Sequence, residues 1–450
     1  MDQRTRQQGQ KGQKGQKGQK RQAPAGEQAD AALASAYMAD LASISLYLHV
    51  PFCQAKCHYC DFNSYAGMLG HRERYVEALA GEIRLAGRRA RLADGTPRRC
   101  RTIFFGGGTP SLLTAEQVDH LLREARAAFA VDDDAEITLE ANPGVLEYGR
   151  LDALRAVGVN RLSMGAQSFD ADLLRWMGRI HSPAEIETAF ATARQAGFTS
   201  INLDFIFALP NQSLATWRET LERALALGPE HLSLYSLIVE EGTPLFAWVR
   251  DGRVVPADDD TAADMYEYAQ RRLATAGYGQ YEISNWAQPG HECRHNLTYW
   301  RNLPYIGLGA GAHSSFAGHR FAEVRPIAGY ISRVRAAVAE NHTDKQDAED
   351  ELPAGAIISD EEIPPALEMA ETAICGLRLN VGLSGAEFAA RFGRTFEQVF
   401  GERLAEVRSL GLIETVGDRV RLTEHGRLLG NEVFERLLPD DLDEPAVIAG

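Results

Sequence analysis

Three of the chain's six cysteines fall within eight positions, in the stretch "HVPFCQAKCHYCDF" at residues 49–62. Cys53 and Cys57 are separated by three residues, Cys57 and Cys60 by two. A disulfide takes two cysteines and a closed tetrahedral zinc site takes four ligands, so this loop is one ligand short of a finished site. Three thiolates at this spacing can hold three irons of a four-iron cluster and leave the fourth iron open. The alternative is zinc completed by His49, His58 or Asp61, although no second cysteine pair or His-x-His array follows at zinc-site spacing. An iron with an open position can bind a small ligand and pass it an electron.

The surrounding chain supplies a frame for such a loop. Short apolar runs recur at "ISLYLHV" (44–50), "RTIFFGG" (101–107), "EITLEAN" (136–142), "RLSMGAQ" (161–167), "INLDFIFALP" (201–210) and "HLSLYSLI" (231–238). Segments of helical period such as "AEQVDHLLREARAAF" lie between them, which predicts β-α-β units, a parallel sheet and an α/β fold. Six units in some 200 residues suit a barrel-like sheet better than a small open one. In such sheets chemistry collects beyond the carboxyl ends of the strands. The cysteine loop follows the first run and "GGGTPS" (106–111) the second; Glu140 closes the third, Gln167 the fourth, Asp204 lies in the fifth, and Ile238 ends the sixth. A salt bridge from Glu140 or Asp204 to Arg179 or Arg161 is the plain structural alternative.

Composition bounds the rest. The formal net charge of −15 argues against a specific nucleic-acid partner. No run of eighteen apolar residues occurs and no apolar stretch follows the early positive charges, so a cytoplasmic protein is expected. Cys100, Cys293 and Cys375 stand far apart and read as reduced, buried thiols. Residues 1–22 carry seven Lys or Arg against one Asp, in a "KGQ" repeat that cannot bury surface. A disordered basic tail over residues 1–40 is expected, and it is the only visible candidate for contact with a membrane surface.

The spacing Cys53-x3-Cys57-x2-Cys60 after "YLHVPF", with "GGGTPS" and "LDFIFALPNQ", resembles the radical S-adenosylmethionine (SAM) enzymes. The resemblance runs from residue 44 to about 438. It falls in the branch that holds the oxygen-independent coproporphyrinogen III oxidases and the haem chaperones. It implies a partial (β/α)6 barrel, a [4Fe-4S] cluster on the three cysteines, and SAM chelated at the open iron. By position it implies SAM-binding roles for Tyr47, Tyr59, Gly107, Gly108, Thr109, Glu140, Gln167, Arg179, Asp204, Ile238 and Ala312. Glu140 would accept hydrogen bonds from ribose hydroxyls.

Two departures separate this chain from the oxidase pattern. Phe62 stands where the oxidases have a fourth cysteine, and the repetitive tail cannot form their ordered N-terminal lid. "HECRHNLTYWRNLPYIGLGAGAHSS" (291–315) instead resembles the chaperone signature His-Asn-x-x-Tyr-Trp. It makes His295, Tyr299 and Trp300 candidates to bind haem, with His313, His49 and Cys293 as poorer ones. The resemblance implies haem as cargo and haem-accepting respiratory proteins as partners. Porphyrinogen decarboxylation and a zinc-stabilised scaffold are the alternatives, and a homo-oligomer is left open.

The expected layout places the barrel at 41–285, a linking region with the HNLTYW motif at 286–339 and an acidic connector at 340–362. The C-terminal domain, at 363–450, has the helix, two short strands ("LIETV", "RVRLT") and closing helix of a winged-helix module. In so acidic a chain it should pack on the barrel rather than bind DNA.

Overall fold

Each apolar run forms a strand: β1 (Ile44–Val50), β2 (Arg99–Gly107), β3 (Ala130–Ala141), β4 (Arg161–Gln167), β5 (Ile201–Phe207) and β6 (His231–Ser236). The structure, a computed structural model, describes residues 25–340 and 352–439. The six strands lie side by side in chain order, all parallel. They are apolar on both faces because one face packs on helices and the other fills the barrel; in β1 only Tyr47 escapes full burial. The alternating helices begin where the sequence stops them from being strand. Thr114 and Gln117 form a capping box at Ala115–Ala128, and Ser182 and Glu185 another at Pro183–Gln195.

The sheet does not end with these six. Added to it are β7 (Gly279–Glu282), β8 (Asn285–Ala287), β9 (Tyr305–Leu308), β10 (His313–Phe316), β11 (His319–Glu323) and β12 (Ile357–Glu362). The order is β12-β11-β10-β9-β1-β2-β3-β4-β5-β6-β8-β7, with β9 parallel to β1. The result is an open, partial barrel extended at both edges.

Three expected boundaries are corrected. Residues 286–339 are not a linker, since they contribute β9 to β11 to the barrel sheet; "YIGL" is too short an apolar run to stand out between Pro304 and Gly309. The connector is partly structured. Residues 341–351 lie outside the described residues, but β12 pairs with β11, its charges pointing outward as an edge strand's do. The expected tail over 1–40 is shorter: residues 1–24 lie outside the described residues, while Ala25–Leu41 is helix α1. Its alanines favour helix. Near its end, Tyr37 is buried under the guanidinium of Arg301, and Asp40 pairs with Arg101 and Arg301, each at 2.7 Å.

The C-terminal unit has a core around Phe388, Phe396, Phe400 and Leu404, with the two expected strands at Ile413–Val416 and Arg419–Leu422. It packs on the barrel. Asn302 donates to Thr372 Oγ1 at 2.9 Å, and Arg391 to the Asn302 carbonyl at 2.7 Å.

Candidate functional site

The site is built at the carboxyl rim of β1 to β4. After β1 the chain leaves the sheet as the cysteine loop, and each sulfur meets at least one polar side chain, Cys57 meeting Tyr59 as well and Cys60 the Phe62 backbone. Thr109 Oγ1 donates to Cys53 Sγ at 3.7 Å, Arg179 Nη1 lies 3.5 Å from Cys57 Sγ, and Ser64 Oγ stands 4.0 Å from Cys60 Sγ. These donors come from three parts of the chain. Asn142, just past β3, ties two together: its Nδ2 donates to Thr109 Oγ1 at 3.0 Å and its Oδ1 accepts from Arg179 Nη2 at 2.6 Å. Lys56 closes the loop on itself through Phe62 O (2.6 Å) and Ser64 Oγ (2.9 Å). Asn63 straps it to the far edge of the barrel, donating to the carbonyls of Ala310 (2.7 Å) and Arg325 (3.0 Å).

"GGGT" brings backbone close to that loop. A Cβ on Gly108 would lie 2.6 Å from the carbonyl oxygen of Phe52 and 2.9 Å from that of Val50, so only glycine lets β2 end there. The Gly107 N–H donates to Glu140 Oε2 at 3.0 Å. Burial, reinforced by the charge of Asp204, pushes the Glu140 carboxyl up to about 8. Asp204 is itself raised by burial, although Asn202 (2.8 Å) and Ser163 (3.1 Å) donate to it. Neither carboxylate forms an ion pair with Arg161 or Arg179 among the described residues, so the salt-bridge alternative fails.

Beside the loop opens a cleft of about 450 Å³. Tyr47, Gly107, Glu140, Tyr299 and Ala312 line it, together with His49, Phe62, His313 and Arg325. Thr109, Arg179 and Tyr59 are grouped at the cysteines instead, Tyr59 against Arg179 and Cys57. Gln167, in left-handed backbone at φ 65°, turns its amide toward Arg179 above Gly165. Asp204 sits behind Glu140 rather than in the cleft wall. Ile238 is 67% exposed past β6 and is not part of the cleft lining.

The HNLTYW motif is divided three ways. His295 is fully engaged: Nδ1 is 2.7 Å from Thr102 Oγ1, Nε2 is 2.9 Å from Tyr299 OH, and the ring stacks on Phe104. It is buried with both ring nitrogens hydrogen-bonded, and it does not line the cleft. Trp300 faces away from the cleft, under the guanidinium of Arg378 at 4.6 Å, where the C-terminal unit docks. Cys293 is buried, its thiol pushed up to about 12 by burial, and it lies against Glu136 Oε1 at 3.5 Å rather than in the cleft wall. Only Tyr299 reaches the cleft.

Residues 47–224 match the Radical SAM superfamily, and residues 363–429 the HemN C-terminal domain. The haem chaperone HemW of Bacillus subtilis is 38% identical over 88% of this chain and 99% of its own length. The chain belongs to the HemW family of radical SAM proteins. HemW of Escherichia coli is likewise 38% identical, over 90% of this chain and all of its own, and HemW of Mycobacterium tuberculosis 36%, over 87% and 94%. Among solved structures, the coproporphyrinogen III oxidase HemN of E. coli, a radical SAM enzyme, superposes with a TM-score of 0.73 at 25% identity, covering 90% of this chain and 92% of that one.

The family brings a [4Fe-4S] cluster and SAM, and the residues present fit both. Polar partners on all three sulfurs suit thiolates bound to iron, whose charge such hydrogen bonds offset. Thiolates on a single zinc sit about 3.8 Å apart, as ~2.3 Å Zn–S bonds in a tetrahedron demand. Among the described residues no three His, Cys, Asp or Glu side chains gather as around one ion. For SAM, the cleft offers bare backbone at Gly107 and a buried carboxylate at Glu140. Asn142, Asn63 and Ser64 carry no local signal of their roles; the first ends the "EITLEAN" run, and the others lie three and four residues past Cys60.

Proposed function

We propose that this protein binds haem and delivers it to haem-dependent proteins, respiratory ones among them. One observation carries the reading: the relatives matched nearly end to end, through barrel and C-terminal unit alike, are haem chaperones. Phe62, 59% exposed at the lip of the cleft in place of the oxidases' fourth cysteine, supports it over porphyrinogen decarboxylation.

On this reading Cys53, Cys57 and Cys60 hold the cluster, while Thr109, Arg179 and Ser64 hold the thiolates in place. When bound, the cluster and SAM supply one-electron cleavage of a sulfonium. Gly107 and Gly108 admit the methionine end to the backbone, and Glu140 accepts from the ribose. Tyr47 and Ala312 close the cleft around it, with Tyr47 OH held by His49 Nδ1 at 3.0 Å. Arg179, through Asn142, couples cluster and cleft. Asn142 and the Gly165 carbonyl orient Arg179, and Asp204 keeps Glu140 partly protonated until a ligand's hydroxyls arrive.

An anaerobic experiment with reconstituted protein tests the proposal. Haem titrated into it should give a saturable Soret shift, and the loaded protein should pass haem to an apo-cytochrome. Coproporphyrinogen III with SAM and a reductant should give no vinyl product while an oxygen-independent oxidase turns over beside it. Turnover at a comparable rate would make the oxidase reading correct instead.

Among the described residues no helix is long and apolar enough to cross a membrane. Delivery to a membrane acceptor would therefore use a peripheral contact, for which the basic residues of the tail are suited.

A further inference from the structure

With His295 and Cys293 engaged in the core and Cys53, Cys57 and Cys60 in the cluster loop, the cleft lining holds two imidazoles, His49 and His313, and one is spent. His49 bonds Tyr47 OH through Nδ1 and the Asn63 carbonyl, at 2.9 Å, through Nε2. His313 differs. It opens β10 after the tight "GLGAG" turn, its side chain is exposed at the outer lip, and its imidazole makes no hydrogen bond, ion pair or ring contact among the described residues.

What surrounds it is suited to a flat, acidic ligand. Arg325 lines the same lip, exposed and without an ion pair, and lies close enough to bear on the ionisation of both His313 and His49. Tyr305 and the exposed ring of Phe62 supply apolar surface. Asp61 is the one carboxylate of the outer wall, so an acidic edge would turn away from it, toward Arg325. Partial burial of the ring against the cleft wall, then the charges of Arg325 and Arg320, hold the His313 imidazole below its ordinary 6.5, toward the neutral form that donates a lone pair to a metal. The Asn63 strap joins this lip to the cysteine loop through the Arg325 carbonyl, so haem here would sit against the segment that carries the cluster.

We propose that His313 and Arg325 form the haem seat at the outer lip of the cleft, the His313 imidazole as axial iron ligand and the Arg325 guanidinium as partner of a propionate. This rests on the haem-binding reading above and specifies its site.

The test is titration of haem into full-length wild type, H313A and R325Q, read by the Soret band and by the ferric spin state. H313A should bind haem at least tenfold more weakly with an altered spin state, and added imidazole should restore the wild-type spectrum. That rescue separates ligation from misfolding. R325Q should keep the wild-type spectrum but lose about tenfold in affinity, and haem dimethyl ester should bind R325Q and wild type alike. Wild-type affinity and spectrum in H313A would overturn the inference while leaving haem binding intact. Failure of the wild type to bind haem would overturn the proposed function itself, and the seat with it.

Discussion

Arg179 Nη1 lies 3.5 Å from Cys57 Sγ while its Nη2 bonds Asn142 Oδ1 at 2.6 Å and the Gly165 carbonyl at 2.7 Å. One guanidinium thus connects the cysteine loop to the ends of β3 and β4. A cationic donor on a thiolate stabilises the more negative, reduced state of a cluster. Arg179→Gln should therefore lower the reduction potential. About 60 mV is expected, since a hydrogen bond to a charged group is worth about 1.5 kcal/mol and 59 mV corresponds to a factor of ten for one electron. An EPR-monitored redox titration measures it, and an unchanged potential would count against the contact.

Cys57→Ala removes one of three cluster ligands. Two thiolates do not retain a cubane, so iron and sulfide should fall to background after anaerobic reconstitution. The broad visible absorbance should vanish with them. A normal cluster band in this variant would refute the assignment of the loop.

Glu140 gives a pH dependence. Its carboxyl, pushed from 4.5 up to about 8, keeps its proton in the folded protein through a range where the unfolded chain has lost it. Stability of the unliganded protein must then fall as pH rises across that window. Glu140→Gln removes this loss. The variant should match wild type near pH 4.5 and melt several degrees higher near pH 8.5, while binding SAM at least tenfold more weakly. Thermal melts at the two pH values, with and without SAM, decide the matter.

Glu82 anchors the far edge of the barrel. Buried, it accepts from the Gly309 N–H (2.9 Å), the Gly355 N–H (2.9 Å) and Tyr330 OH (2.6 Å). Glu82→Ala strands three buried donors, at about 1–3 kcal/mol each, and should cost about 3–5 kcal/mol in denaturant unfolding. A loss under 1 kcal/mol would mean that water replaces the carboxylate.

The rim chemistry was legible because it depends on local order. The spacing of Cys53, Cys57 and Cys60, the glycines before Thr109, and Glu140 at a strand end all follow from strand-then-loop periodicity. At His295 the local pattern is ambiguous for a physical reason. A histidine beside aromatics has the same sequence signature whether its ring nitrogens face a ligand or, as here, Thr102 and Tyr299. The strands after residue 286 were missed because four-residue segments between turns carry too little periodicity to count.

By itself, the sequence determined the cysteine loop, the six parallel strands, the winged-helix order of the C-terminal unit and the family. Each is written in neighbours a few residues apart. Only the tertiary structure decided which side chains meet: Arg179 with Cys57 across 122 residues, Asn63 with Ala310 across 247, and a free imidazole at His313 rather than His295. Whether a polar group is spent on a neighbour or left for a ligand depends on packing from distant segments, and no local pattern encodes it.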